Sequence, residues 1–307
     1  MDKHFPGNTP SALPLLAHDE ITQGCVNRTE KPDRPQTGLQ ARFPAFMARA
    51  LAALLLFSFL GMTPPLQAEE PPPPHADRAQ EKPTWEAEAN VTWSSKYIWR
   101  GINVVDRSVL QPSLTARRGG LSANAWGNLD LTNQNGHSGD FTEIDLSLDY
   151  TWQSEWIELS LGTIYYTFPH SSAGLSTTEV YGAMSWKGPL SPTLTTYLDV
   201  DEAGGHYWNL SVEHTFENCM RMGKAPTSLV LGAAVGYGSR DHNAFYYGAD
   251  TGGFTDGRLS ASLPIQLNQS WSVAPFVRYS WLMDGELRDS LRNDDNLWAG
   301  LSISHSF

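Results

Sequence analysis

Residues 141–152 read Phe-Thr-Glu-Ile-Asp-Leu-Ser-Leu-Asp-Tyr-Thr-Trp. Ile144, Leu146, Leu148, Tyr150 and Trp152 share one phase of a two-residue period. Glu143, Asp145, Ser147, Asp149 and Thr151 share the other. A strand with one apolar and one polar face has this period, and a helix does not. The run is also the length needed to cross a bilayer as a tilted strand, about 9–11 residues.

The same pattern spreads outward in both directions. In 121–131, Leu121, Ala123, Ala125, Leu129 and Leu131 oppose Ser122, Asn124, Asn128 and Asp130. In 85–93, Trp85, Ala87, Ala89, Val91 and Trp93 oppose Glu86, Glu88, Asn90 and Thr92. In 271–282, Val273, Val277, Tyr279 and Trp281 oppose Ser272, Arg278 and Ser280. Weaker versions lie at 109–117, 156–167, 178–187, 193–200, 206–216, 227–237, 256–266 and 296–307. The expected fold is all-β: an antiparallel up-and-down transmembrane β-barrel of twelve strands over 85–307. Counts of ten or fourteen stay open at two places, 201–205 and 217–226.

Two further patterns support a membrane barrel. Connections alternate short and long, as periplasmic turns and outer loops do. Aromatics gather near strand ends, where an amphipathic ring sits well at a membrane interface. Trp152, Trp186, Phe216, Trp271 and Phe307 fall at the inner ends. Trp93, Tyr97, Trp99, Tyr165, Phe168, Trp208, Tyr237, Tyr279 and Trp281 fall at the outer ends. A soluble lipocalin-like barrel has the inverse arrangement, with the apolar face lining its cavity. The last strand ends in Phe307, a terminal aromatic like the signal read by the barrel-assembly machinery.

Composition narrows the partners. The formal net charge is −12, and residues 1–68 are nearly balanced, so the acidity belongs to the rest. Such a surface opposes nucleic-acid binding. The expected partners are outer-membrane lipid and lipopolysaccharide, with the assembly machinery during biogenesis. Residues 47–68 read as a secretory signal peptide: Arg49, an apolar run from Ala50 to Met62, and Ala68 before the cut. Residues 1–46 read as an unstructured or untranslated extension, and 69–84 as a Pro-rich periplasmic linker. Removing the leader also removes Cys25 and leaves Cys219 without an internal disulfide partner.

The stretch Ser94-Ser95-Lys96-Tyr97-Ile98-Trp99-Arg100-Gly101-Ile102 resembles the Ser-x-Tyr-x-Phe/Trp-Arg-Gly motif of the Gcw_chp group, also labelled TorF-like. That resemblance implies an outer-membrane barrel and a proposed porin. It brings no substrate and no catalytic residue. If the first strand ran on to Arg100, Tyr97 and Trp99 would face lipid, and Lys96 and Arg100 the lumen. Gly101 would then supply a turn or bulge.

Inward phases carry Glu86, Glu88, Asp130, Glu143, Asp145, Asp149, Glu158, Glu179, Asp199 and Glu213. Arg100, Arg117, Arg258 and Arg278 are the basic residues in that phase. Buried carboxylates without partners are costly. Either water fills the lumen and its acids favour cations or neutral solutes, or guanidinium–carboxylate pairs plug it. The adjacent-strand pair Arg258 and Arg278 is the expected anchor of such a plug.

No catalytic residue is expected. The rim residues His170, Asp201, Glu202, His206, Asp241 and His242 follow no enzyme motif, and phosphate-binding and dinucleotide-binding patterns are lacking. A loop-rim hydrolase is the remaining enzyme alternative. His137, His170, His206 and His242 lie in four outer loops without metal-ligand spacing. No cofactor and no metal is expected.

Overall fold

The computed structural model describes residues 84–170, 176–222 and 225–307. The leader, the extension before it and nearly all of the Pro-rich linker lie outside the described residues.

In chain order the strands are β1 (Trp85–Ser94), β2 (Tyr97–Trp99), β3 (Ile102–Val105), β4 (Val109–Arg118), β5 (Leu121–Asp130) and β6 (Phe141–Gln153). They continue with β7 (Ile157–Thr167), β8 (Ser176–Trp186), β9 (Thr193–Asp199), β10 (His206–Met222) and β11 (Ala225–Gly238). The last four are β12 (Gly253–Ser262), β13 (Ile265–Gln266), β14 (Trp271–Leu282) and β15 (Asp295–Ser306). Among the described residues two short α-helices sit in outer loops: α1 (Arg240–Tyr246) and α2 (Gly285–Ser290).

Each long strand pairs antiparallel with its sequence neighbour, and β1 pairs with β15. The β12–β14 pairing completes the ring. Among the described residues this is a closed barrel of twelve long strands. β13 is a short addition, and β2–β3 form a separate hairpin. Closure satisfies every strand edge, which the apolar interior of a bilayer requires.

The register puts the apolar phases side by side on the outside. Leu146 pairs with Tyr165, Tyr150 with Leu161, Leu159 with Met184, and Met184 with Leu194. These side chains stay exposed, as do Leu114, Leu210, Leu231, Val277, Leu301 and Ile303 around the ring. An apolar belt this continuous is stable against lipid, not water. The chain is an outer-membrane β-barrel, and its twelve strands resolve the count at both uncertain places.

The first of those places, 201–205, is a tight connection braced by Asp199. The Asp201 and Ala203 amides donate to Asp199 Oδ1 at 3.0 and 3.1 Å. At the second, 217–226, most of the described residues are strand. β10 runs on to Met222 and β11 starts at Ala225. A register shift between Phe216 and Met220 absorbs extra residues, and Asn218 there has φ 51°. Cys219 is free and exposed in this extension.

The short turns lie at one end and the long loops at the other, which orients the barrel. Trp85, Trp152, Trp156, Trp186, Trp271 and Phe307 are exposed at the short-turn end. Trp93, Phe141, Tyr165, Tyr237 and Phe254 are exposed at the long-loop end. Phe307 adds one backbone bond to the closing seam, its N–H donating to Ala87 O at 2.9 Å.

Candidate functional site: the closed outer lumen

The barrel wall carries its polar phase inward, and the outer half of that lumen is filled by loops. β1 stops at Ser94, whose hydroxyl donates to Lys96 O at 2.6 Å. The chain then turns inward as the β2–β3 hairpin. Its two-residue turn is Arg100-Gly101, with φ 46° and φ 82°. Positive φ at both central positions is the mirror-image turn that suits the twist of a hairpin. Glycine is needed at the second position. A Cβ there would lie 2.8 Å from Asp256 Cβ and 3.0 Å from Leu282 Cδ2.

This corrects the expectation for the motif. Tyr97 is 8% exposed and packs inside with Val105, Val109 and Trp126. Its ring centroid is 5.6 Å from that of Trp126, which lies in the inward phase of β5. Trp99 is also inside, 4.9 Å from Tyr246 of α1. Neither faces lipid. The alternation of β1 ends at the Ser94-Ser95 corner, so its phase does not carry through to Trp99.

The turn delivers Arg100 to the far wall. Arg100 Nη1 and Nη2 donate to Glu179 Oε1 and Oε2 on β8, at 2.8 and 2.7 Å. The side chains are 7% and 1% exposed. The guanidinium lies over the rings of Tyr207, Trp99 and Tyr197 at 4.2, 4.4 and 4.7 Å. Tyr166 donates a further hydrogen bond to Glu179 Oε2 at 2.9 Å. A planar, always-charged donor fork suits this combination of bidentate pairing and ring stacking, and lysine would not. The guanidinium–carboxylate pair across the lumen is made by Arg100, not by Arg258 or Arg278.

Helix α1 seals the site from above. Ser239 caps its first turn. Tyr247 is fully buried and donates to Arg100 O at 2.6 Å. Tyr246 donates to Asp199 Oδ2 at 2.7 Å, beside Thr177 at 2.8 Å. Tyr247 and Leu287 of α2 complete an apolar cluster with Ile102, Ala249 and Leu282. Asp256 is held by Tyr207 and Thr255 at 3.0 and 2.8 Å.

His242, also fully buried, is part of the seal. Arg100 Nη1 lies 3.0 Å from its Nε2, and Asn243 Oδ1 lies 3.0 Å from its Nδ1. Arginine only donates, so Nε2 accepts and Nδ1 carries the proton. Burial, and then the Arg100 charge, hold the imidazole down to about 3. In the unfolded chain it takes its proton near the usual value of about 6.5. Below that value the unfolded state binds the extra proton, so stability falls as pH drops from about 6.5 towards 3. By pH 4 the loss from this group is on the order of 3 kcal/mol. Urea unfolding at pH 6.5 and pH 4 checks this against His242→Phe, which fills the same slot between Tyr207 and Tyr246. Equal pH dependence in both proteins would remove His242 as the cause.

The remaining inward charges differ in exposure. Arg258 and Arg278 point inward from adjacent strands and are exposed. Neither makes an ion pair among the described residues, and Arg278 stacks on Phe276 at 4.2 Å. Asp149 and Glu158 are half-buried and Glu213 is exposed. Glu143 is buried, and Asp145 is half-buried with its Oδ1 unpartnered. Glu179 and Asp199 are engaged in holding loops, by the bonds given above.

The rim candidates separate. His206 stacks on Trp208 at 5.5 Å, and His242 is a buried residue of α1 itself. His170 lies against His137 and Asp140. The aromatic floor under Arg100 was missed in the sequence. Its signal was Tyr166, Tyr197 and Tyr207 in the inward phase, where a water-filled pore has little use for rings.

Residues 78–276 match the profile of a family described as bacterial protein of unknown function (Gcw_chp). No curated protein matches the chain. Among solved structures, an outer-membrane channel from Pseudomonas putida F1 is similar at 9% identity and TM-score 0.44, over 76% of this chain and 100% of that one. The NanC porin is similar at 11% identity and TM-score 0.40, over 71% and 98%. OmpF of Salmonella typhi follows at 9% and 0.35, over 73% and 97%. At these scores the barrel assignment rests on the strand registers alone.

Proposed function

The chain belongs to the Gcw_chp family, and from that premise we propose that it is a porin-like channel held closed at its outer mouth. The observation that carries this is the contrast between the two lumen halves. A sealed, ion-paired roof of β2–β3 and α1 stands over inward charges that have room for water. A barrel with a purely structural role has no need of unpaired Arg258 and Arg278 in its lumen.

When open, the channel passes small cationic or neutral solutes. Carboxylates at Glu143, Asp145, Asp149, Glu158 and Glu213 outnumber the two arginines, and an acidic lining attracts cations. A barrel of this type sits in outer-membrane lipid, contacts lipopolysaccharide at its outer girdle, and uses Phe307 as an assembly signal. A plugged barrel with no transport is the second reading, favoured by the buried Arg100–Glu179 pair.

Planar-bilayer recording of the refolded protein under a salt gradient tests the proposal. Expected are brief, small openings with a cation-selective reversal potential, shifted towards zero by combined Glu143→Gln, Asp145→Asn and Asp149→Asn. An anion-selective potential sinks the acidic-lumen reading. Permanent silence, even with the hairpin removed, leaves the non-transporting barrel.

A further inference from the structure

Away from the lumen, two neighbouring outer loops bring three metal-ligating side chains together. His137 and Asp140 belong to the β5–β6 loop, and His170 follows β7. One ligand atom from each lies within 4.8 Å of the other two. His170 Nε2 is 3.8 Å from Asp140 Oδ2. The imidazoles of His137 and His170 lie face to face, with centroids 4.5 Å apart and planes 25° apart.

The β5–β6 loop is built to hold its two ligands on one side. The Asp140 N–H donates to His137 O at 3.1 Å, closing a tight turn with His137 first and Asp140 fourth. Gly136 and Gly139 beside them have φ 82° and 88°. The loop base is tied to the end of β5. Asp130 N–H donates to Asp140 O at 3.2 Å, and Gly139 N–H to Asp130 O at 2.7 Å. Asn135 Nδ2 donates to Asp130 Oδ2 at 3.2 Å. The hydrogen bonds of the loop are thus made by other groups, and the three ligand side chains are left to converge.

We propose that His137, Asp140 and His170 form an outer-surface site for a divalent first-row transition-metal ion, with Zn2+ as the type case. Two imidazoles and one carboxylate are a common donor set for such ions, and the remaining position is left to water. Metal–nitrogen distances near 2.0–2.1 Å require the ligand atoms to close by about 1 Å. Rotation of these surface side chains supplies that. Hard cations such as Ca2+ or Mg2+ prefer an all-oxygen shell and are not expected. The ion clasps the β5–β6 loop to the loop after β7, at a rim position independent of whether the lumen conducts.

Isothermal titration of the protein in detergent with ZnCl2, on a background with Cys25→Ser and Cys219→Ser, tests the site. One equivalent should bind with micromolar affinity. His137→Ala, His170→Ala and Asp140→Asn should each weaken binding roughly tenfold or more, while His206→Ala should leave it unchanged. The substitutions are on exposed loops, and heat-modifiable gel mobility confirms that each barrel is folded. Co2+ should give a visible d–d spectrum that is lost in His170→Ala. Absence of stoichiometric binding, or binding untouched by His137→Ala and His170→Ala, overturns the proposal.

Discussion

Replacing Arg100 by alanine should destabilise the folded barrel by about 3–5 kcal/mol. The reason is what remains. Glu179 stays in place at 1% side-chain exposure, loses both guanidinium bonds, and keeps only the Tyr166 hydroxyl. An unpaired buried carboxylate costs more than the pair itself was worth. Three ring faces lose their cation in the same step. Urea unfolding in lipid vesicles, followed by tryptophan fluorescence, gives the number. Glu179→Gln should cost less, because Arg100 keeps His242 and the ring faces. Arg100→Met with Glu179→Leu should recover most of the loss, as apolar replacement of both partners of a buried pair often does. A loss below about 1 kcal/mol in Arg100→Ala, the range of a surface pair, would mean that water reaches the pair and the roof is not sealed.

Excising Tyr97–Val105 and joining Lys96 to Asp106 through two glycines should raise unitary conductance roughly tenfold or more. The barrel ladder does not include this hairpin, so closure survives its loss. The ends to be joined are already neighbours: Tyr97 pairs with Val105, and Lys96 Nζ lies 2.7 Å from Asp106 Oδ1. Removing the hairpin also takes Ile102 from its cluster with Tyr247 and Leu287, so α1 and α2 lose part of their seat. Glu179 then faces water and needs no guanidinium, which separates this variant from Arg100→Ala. It should fold and conduct where the point variant folds poorly. A correctly folded but silent excision variant would overturn the closed-channel reading and leave the non-transporting barrel.

Much of the fold was legible because a bilayer imposes a strict rule on each residue. Every strand must show lipid one phase and the lumen the other, so 141–152 alone announces its strand, its faces and its length. The observed β6, Phe141–Gln153, extends that stretch by one residue. Chain closure follows from the even strand count and the short and long connections. Trp152, Trp186 and Trp271 lie where their strand ends place them, exposed at one interface. The membrane acts on these positions one at a time, and local pattern is sufficient to read them.

The lumen obeys no such local rule. Tyr97 and Trp99 look like further girdle aromatics, because alternation does not say where a strand stops. The turn at Arg100-Gly101 has only its glycine as a signal, and arginine at positive φ has none. Arg100 meets Glu179 across the barrel, and His242 arrives from a third loop. Asp199 holds the phase of a lumen residue, but Tyr246 and two loop amides take up its carboxylate. The sequence by itself determined that a barrel forms and which face of each strand meets lipid, since that is a one-residue choice between oil and water. Only the tertiary structure decided which inward charges neutralise one another and which remain free. Pairing depends on distances across the closed ring, between residues that share no local period.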